Sequence, residues 1–145
     1  MSEYDFSTWQ KFPALESSYE KIREFILDAA KIAGVHDQCL LKLELGIEEL
    51  VINVIHYAYE DGGNIFIKTR VEDNFFIFEI ADFGVPFNPL EKIDPRSIDK
   101  SSIEHRKIGG FGIAFAKKIF EDLRYEFKNF GAQNANLLFL KFKIY

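Results

Sequence analysis

Cysteine is almost missing from this chain: Cys39 is the only one in 145 residues. No disulfide can close within the chain, and no thiol-rich metal site can form. Cys39 lies in the apolar run "QCLLKLELGIEEL" and reads as a small core residue. No stretch approaches the ~20 apolar residues of a membrane span. The start, "MSEYDFSTWQ", has neither the basic opening nor the apolar segment of a signal peptide. A soluble, cytoplasmic protein with no membrane partner is therefore expected. Positive charge is also scarce, with 18 Lys and Arg against 23 Asp and Glu and a net charge of −5. Affinity for phosphate backbones comes mainly from Lys and Arg, so direct nucleic-acid binding is not expected. The acidic balance fits solubility or docking to a basic partner. Internal repeats and low-complexity tracts are absent.

Apolar and aromatic residues are plentiful, at 48% and 16%, with sixteen phenylalanines. That is enough for a packed, ring-rich core, and the length favours one domain over 1–145. "DFSTWQKFPA" alternates roughly and ends in Pro13, which reads as a short edge strand. Tyr19, Ile22, Phe25, Ile26, Ala29 and Ala30 recur at helical spacing; Ser17 or Ser18 would cap this helix and Gly34 would stop it. A second helix follows in "HDQCLLKLELGIEELVINVIHYAYE", with Asp37 as candidate N-cap and apolar residues on several sides, as suits a central helix.

"NIFIKTRV" and "NFFIFEIA" read as a hairpin of period two. "DFGVPFNP" breaks that pattern, and the segment from Leu90 to Lys107 is polar, without a clean period, and longer than an ordinary connection. "GGFGIAFAKKIFEDL" opens a helix with glycines, and "RYEFKNF" and "NLLFLKFKIY" alternate as two further strands. The order β-α-α-β-β-loop-α-β-β predicts an α+β fold. It is a two-layer sandwich whose mostly antiparallel mixed sheet carries three main helices on one face.

Three places in this frame carry polar groups where packing alone does not ask for them. In "EELVINVIHYAYEDGG", Glu49 and Asn53 are four apart and share a helix face, with His56 three further on. An Asn oxygen suits a magnesium ion otherwise held by phosphates and water, and a carboxylate one turn earlier can deprotonate a nucleophile. A polar stripe at a helix edge explains the same residues structurally. Asp82 stands at the end of an apolar strand, where a carboxylate needs partners; it either accepts the exocyclic amine of a base or simply starts a turn. Gly84 after it allows a flat ring to approach the backbone. Gly109, Gly110 and Gly112 lie at the mouth of a helix, which suits a phosphate or a hinge.

Taken together, the three segments resemble the nucleotide-binding domain of the GHKL (histidine-kinase-like) ATPase superfamily, closest to its anti-sigma-factor serine/threonine kinases. Glu49 and Asn53 in "EELVINVIHYAYE" match the family's E-x-x-x-N helix, and His56 fits the following histidine loosely. "DFGVPFNP" matches D-x-G-x-P-F-[ND]-P throughout, with Pro86 in place of the second glycine found in the wider superfamily. "GGFGI" matches G-G-x-G-[IL]. The resemblance spans nearly the whole chain, including "FPA" before the first helix.

The resemblance implies ATP (or ADP) and Mg2+ as cofactors. It implies that Asp82 accepts the adenine amino group, Gly84 admits the base, and Asn53 is the metal ligand. Glu49 would be the catalytic base. Pro86, Gly109, Gly110, Phe111 and Gly112 would line the nucleotide, and the segment 90–108 would be a lid. Arg106 and Lys107, placed beside the glycines, would reach phosphate oxygens by position and charge. The implied function is an anti-sigma factor with serine kinase activity toward an anti-anti-sigma antagonist, sequestering a sigma factor, with a homodimer plausible. The competing function is a nucleotide-gated binding module without kinase turnover. The ATPase part of a sensor histidine kinase is a weaker reading, since no dimerisation helix pair precedes the first strand. His56 is expected to be structural or a neighbour of the phosphate region.

Overall fold

The computed structural model describes residues 5–90, 114–131 and 133–144. Strand β1 (Gln10–Pro13) leads through a 3₁₀ turn into helices α1 (Tyr19–Ala33) and α2 (Asp37–Tyr57). The hairpin β2 (Asn64–Glu72) and β3 (Phe75–Asp82) follows. A short helical segment α3 covers 114–119. The hairpin β4 (Asp122–Asn129) and β5 (Asn134–Lys143) completes the described chain. The five strands form one sheet in the order β1-β2-β3-β5-β4. All four pairings are antiparallel, which gives the α+β architecture expected from the element order.

The period-two pattern sorts side chains to two faces. Ile65, Ile67, Phe76, Phe78, Ile80, Leu138, Leu140 and Phe142 turn to the helices. There they meet Ile22, Ile26 and Ala30 of α1, the apolar side of α2, and Ala116 and Phe120 at α3. Each such side chain contributes about 1.5–3 kcal/mol when fully buried, so this face is the main source of stability. α1 ends because Gly34 takes φ 100°, where its N–H bonds the Ala30 and Lys31 carbonyls. Arg23 ties the two long helices, reaching Glu44 at 2.8 Å and Glu20 at 3.0 Å. On the opposite face Trp9, Ala81 and Leu137 are buried under Phe6, Phe66 and Phe130, which form a small second cluster.

Several boundaries differ from the sequence reading. Ser18 occupies the N-cap of α1, but its side chain makes no capping bond, because the 3₁₀ turn Glu16–Ser18 runs straight into the helix. Asp37 is the first residue of α2 rather than its cap, and His36 holds the cap position in extended conformation. β4 starts at Asp122, two residues earlier than the alternation indicated, because Asp122 and Leu123 pair with Lys141 and Leu140. Among the described residues no helix is long and apolar enough to cross a membrane.

Candidate functional site

α2 is held from two sides. Leu43, Ile47, Leu50, Val51 and Val54 are buried, and Gly46 lies directly under the chain that leaves α3. A β-carbon there would stand 2.7 Å from Ile119 Cδ1 and 2.9 Å from Phe120 Cε2. On this rigid element Glu49 and Asn53 are half-buried on one stripe. Asn53 Nδ2 donates to Glu49 Oε1 at 3.1 Å. That bond orients the amide, and among the described residues its Oδ1 takes no hydrogen bond. Burial pushes the Glu49 carboxyl above the usual range; the Asn53 bond offsets part of this and the neighbouring Glu48 charge adds to it. His56 continues the stripe, but its ring turns to another element. Its Nε2 lies 2.8 Å from Glu16 Oε1, in the turn before α1, so the imidazole joins two structural elements.

At the end of β3, Asp82 is only 4% exposed. Its Oδ1 accepts from Gly84 N at 2.9 Å and from Asn136 Nδ2 at 2.8 Å. Oδ2 takes no hydrogen bond among the described residues. Burial raises the carboxyl, and the bonds from Asn136 and Gly84 pull the other way. For both Asp82 and Glu49 the folded protein holds the proton more tightly than the unfolded chain. Their contribution to stability is full below the ordinary carboxylate pKa and is lost as pH rises through the raised value.

The turn after Asp82 is locked onto the end of α2. A β-carbon at Gly84 would overlap the Ala58 carbonyl, and Val85 N donates to that same oxygen at 2.9 Å. The close approach at Gly84 is therefore to protein backbone, a role beside the one implied by resemblance. Tyr59 adds a second lock. Its hydroxyl donates to Asn64 O at 2.6 Å and accepts from Phe83 N at 2.8 Å. Its ring fills the space that a side chain at Gly63 would need. Pro86 is exposed, while the Phe87 ring lies 5.0 Å from that of Tyr57. These contacts bind the segment carrying Asp82 to the helix carrying Glu49 and Asn53.

Asn136 escaped the sequence reading. It is 4% exposed, on β5 directly opposite Asp82. Its amide donates to Asp82 and, at 2.8 Å, to Val85 O; its oxygen accepts from Phe87 N at 3.1 Å and from the Tyr125 hydroxyl. The signal was available: Asn136, Leu138, Leu140 and Phe142 share one face, and only the first is polar. Asn136→Ala would leave four groups short of a partner, at about 1–3 kcal/mol for each that stays unsatisfied. Urea unfolding should show a loss of at least ~2 kcal/mol on that scale. Arg106, Lys107, Gly109, Gly110, Phe111 and Gly112, with the expected lid beyond Leu90, lie outside the described residues.

The donor set fits a nucleotide with its metal. An open carboxylate oxygen in a buried frame suits an amine, and an open amide oxygen suits a hard cation that phosphates also hold. Among the described residues no group of three His, Cys, Asp or Glu could hold a metal ion, so a cation here would need ligands beyond such a cluster.

Residues 12–135 match the family model described as the histidine kinase-like ATPase domain. The chain belongs to this family, the GHKL superfamily, whose domain implies nucleotide binding. No curated protein matches the sequence. Among solved structures, a chain of the SiaB–SiaC complex from Pseudomonas aeruginosa shares the fold with a TM-score of 0.54 at 17% identity, over 91% of this chain and 88% of that one. The Acinetobacter baumannii histidine kinase AdeS aligns with a TM-score of 0.47 at 14% identity, over 94% of this chain and 68% of that one.

Proposed function

We propose that this chain is a cytoplasmic, single-domain ATP-binding anti-sigma regulator with serine/threonine protein kinase activity. The observation that carries this reading is the division of labour at Asp82. One carboxylate oxygen is held by Asn136 and Gly84, and the other is left open in a buried setting. An ionised carboxylate is acceptor-only, so it selects an amine-bearing edge such as that of adenine. Asn53 turns its amide nitrogen to Glu49, which leaves its oxygen for magnesium. Glu49, raised by burial, is a suitable base for a serine hydroxyl because its proton affinity is above that of an ordinary carboxylate. When bound, ATP with its magnesium ion supplies the phosphoryl group. Gly109, Gly110, Phe111 and Gly112 would cradle the phosphates, Arg106 and Lys107 would add positive charge, and the segment to about residue 108 would close over them.

The partners proposed are an anti-anti-sigma antagonist and a sigma factor, with the chain acting as a homodimer. Phosphorylation of the antagonist would place charge in its docking surface and release it. One structure of similar fold comes from a two-protein complex, which is compatible with work through a protein partner.

Titration calorimetry with and without magnesium tests the site. Asp82→Asn presents an amide donor where the amine must be received, so ATP affinity should fall by about ten- to a hundredfold, the scale of a hydrogen bond to a charged group. Unchanged affinity in a variant that keeps its melting temperature would remove the adenine contact from the reading.

A further inference from the structure

The chain just before β1 makes one tight turn on the face of the sheet away from the helices. Asp5 Oδ1 accepts from Ser7 N at 3.1 Å and from the Ser7 hydroxyl at 2.6 Å, and Trp9 N donates to Phe6 O at 3.2 Å. The turn aims two rings at the sheet. Trp9 is buried with Ala81 and Leu137. Phe6 is half-buried at the centre of a ring cluster. Its centroid lies 4.9 Å from Trp9, 6.0 Å from Phe66, and 5.3 Å from both Phe83 and Phe130. The contacts with Trp9, Phe83 and Phe130 are edge-to-face, a favoured arrangement of ring quadrupoles.

Phe83 ties this cluster to the candidate site, because it directly follows Asp82. Successive side chains of a strand point to opposite faces. Ile80 and Asp82 take the helix side, while Ala81 and then the Phe83 ring take the outer side. There Phe83 meets Phe6 at an interplanar angle of 88° and Phe66 at 5.4 Å. From the helix side the same turn is held by three backbone donors. Phe83 N donates to the Tyr59 hydroxyl, Gly84 N to Asp82 Oδ1, and Val85 N to Ala58 O. The turn that carries Asp82 is thus clamped between the end of α2 and the N-terminal turn.

The two jaws of this clamp differ in strength. The inner one stands on a buried helix. The outer one hangs on Asp5, Ser7 and Thr8, all exposed, and on an edge strand of four residues. Solvent-exposed hydrogen bonds and a short edge open at low free-energy cost, so Phe6 can lift while β3 stays in the sheet.

We propose that Phe6 is a positioning residue for Asp82, and that residues 5–9 form a latch on the candidate site. Seated, the Phe6 ring holds Phe83 and keeps the open oxygen of Asp82 aimed. Lifted, it frees the turn after β3, and nucleotide affinity falls. Linkage makes the coupling reciprocal, so a bound nucleotide holds the latch shut. The effect on affinity rests on the reading of Asp82 as the adenine acceptor; the effect on the turn does not.

Amide hydrogen exchange by NMR, on the full chain without nucleotide, is the first test. Phe6→Ala should speed exchange at Phe83, Gly84 and Val85 by about tenfold or more, as local opening does. Ile47 and Leu50, buried in α2, should stay near native. Phe6→Tyr keeps the ring and should keep native exchange. Calorimetry with ATP and magnesium on the same proteins is the second test. Phe6→Ala should weaken binding about five- to tenfold, the scale of a lost ring pair, and Phe6→Tyr should not. Native exchange at Phe83, Gly84 and Val85 in Phe6→Ala overturns the inference. So does a rise matched at Ile47 and Leu50, which would make Phe6 a general support of the fold. Native ATP affinity in Phe6→Ala overturns it as well. A native chain that binds no ATP removes the nucleotide reading instead, while the three amides still decide whether the latch exists.

Discussion

Glu49→Gln is expected to cut phosphoryl transfer to a protein hydroxyl by about 10²–10⁴-fold, the usual scale for loss of a positioned general base. ATP affinity should stay near the native value. The substitution keeps size and shape, and Asn53 Nδ2 still finds an oxygen where it now meets Glu49 Oε1, so the proposed metal ligand should keep its orientation. The pH profile supplies a second readout. Burial raises the Glu49 carboxyl, so the native rate should fall on acidification through a pKa above the ordinary carboxylate range. The Gln variant should lack that limb. Quench-flow or radiolabel transfer assays across pH, with the proposed antagonist as acceptor, measure both. Native-rate transfer in the variant would assign the base elsewhere and leave the module reading in place.

Gly84→Ala is the largest effect expected on the fold itself. The new β-carbon overlaps the Ala58 carbonyl, which is backbone at the end of α2 and already accepts from Val85 N. Neither element can yield without undoing the lock between helix and turn. Overpacking usually costs 1–3 kcal/mol, and a clash with backbone should sit at or above the upper end, about 3 kcal/mol. Gly62 provides the control. It has φ +88°, yet nothing lies within 4 Å of a β-carbon there. Gly62→Ala should cost only the strain of a left-handed residue, about 1 kcal/mol. Urea denaturation of both variants compares a steric demand with a conformational one. Equal losses would mean that the turn moves away from α2 at little cost. Nucleotide affinity should fall with Gly84→Ala, since the same lock positions Asp82.

The elements read most directly from sequence were those whose signal is local. α1 announces itself by Ile22, Ile26 and Ala30 at helical spacing and by Gly34 at its end. The β2–β3 hairpin does so by two runs rich in Ile, Phe and Val about a short turn. Glu49, Asn53 and Asp82 were legible because a carboxylate or amide in an apolar segment is costly and so stands out. Asn136 broke the same rule in the same way, but it lay at the very start of a predicted strand, where a polar residue is unremarkable. Its meaning comes from Asp82, 54 residues earlier, and the register of β3 on β5 creates that neighbour. Tyr59 stands near the end of "EELVINVIHYAYE" with no local sign of a role. Its bonds to Asn64 and Phe83 exist only because the end of α2 returns beside the end of β3.

By itself, then, the sequence determined the face of each element and the family of the chain, because periodicity and short motifs are properties of contiguous residues. Tertiary structure alone decided which oxygen of Asp82 is spent and which is open. It also decided that His56 turns to Glu16 and that Gly84 yields its space to backbone. Alternation says which side a residue faces but not which strand lies beside it. That choice is made by the sheet register, which brings together groups the chain keeps far apart.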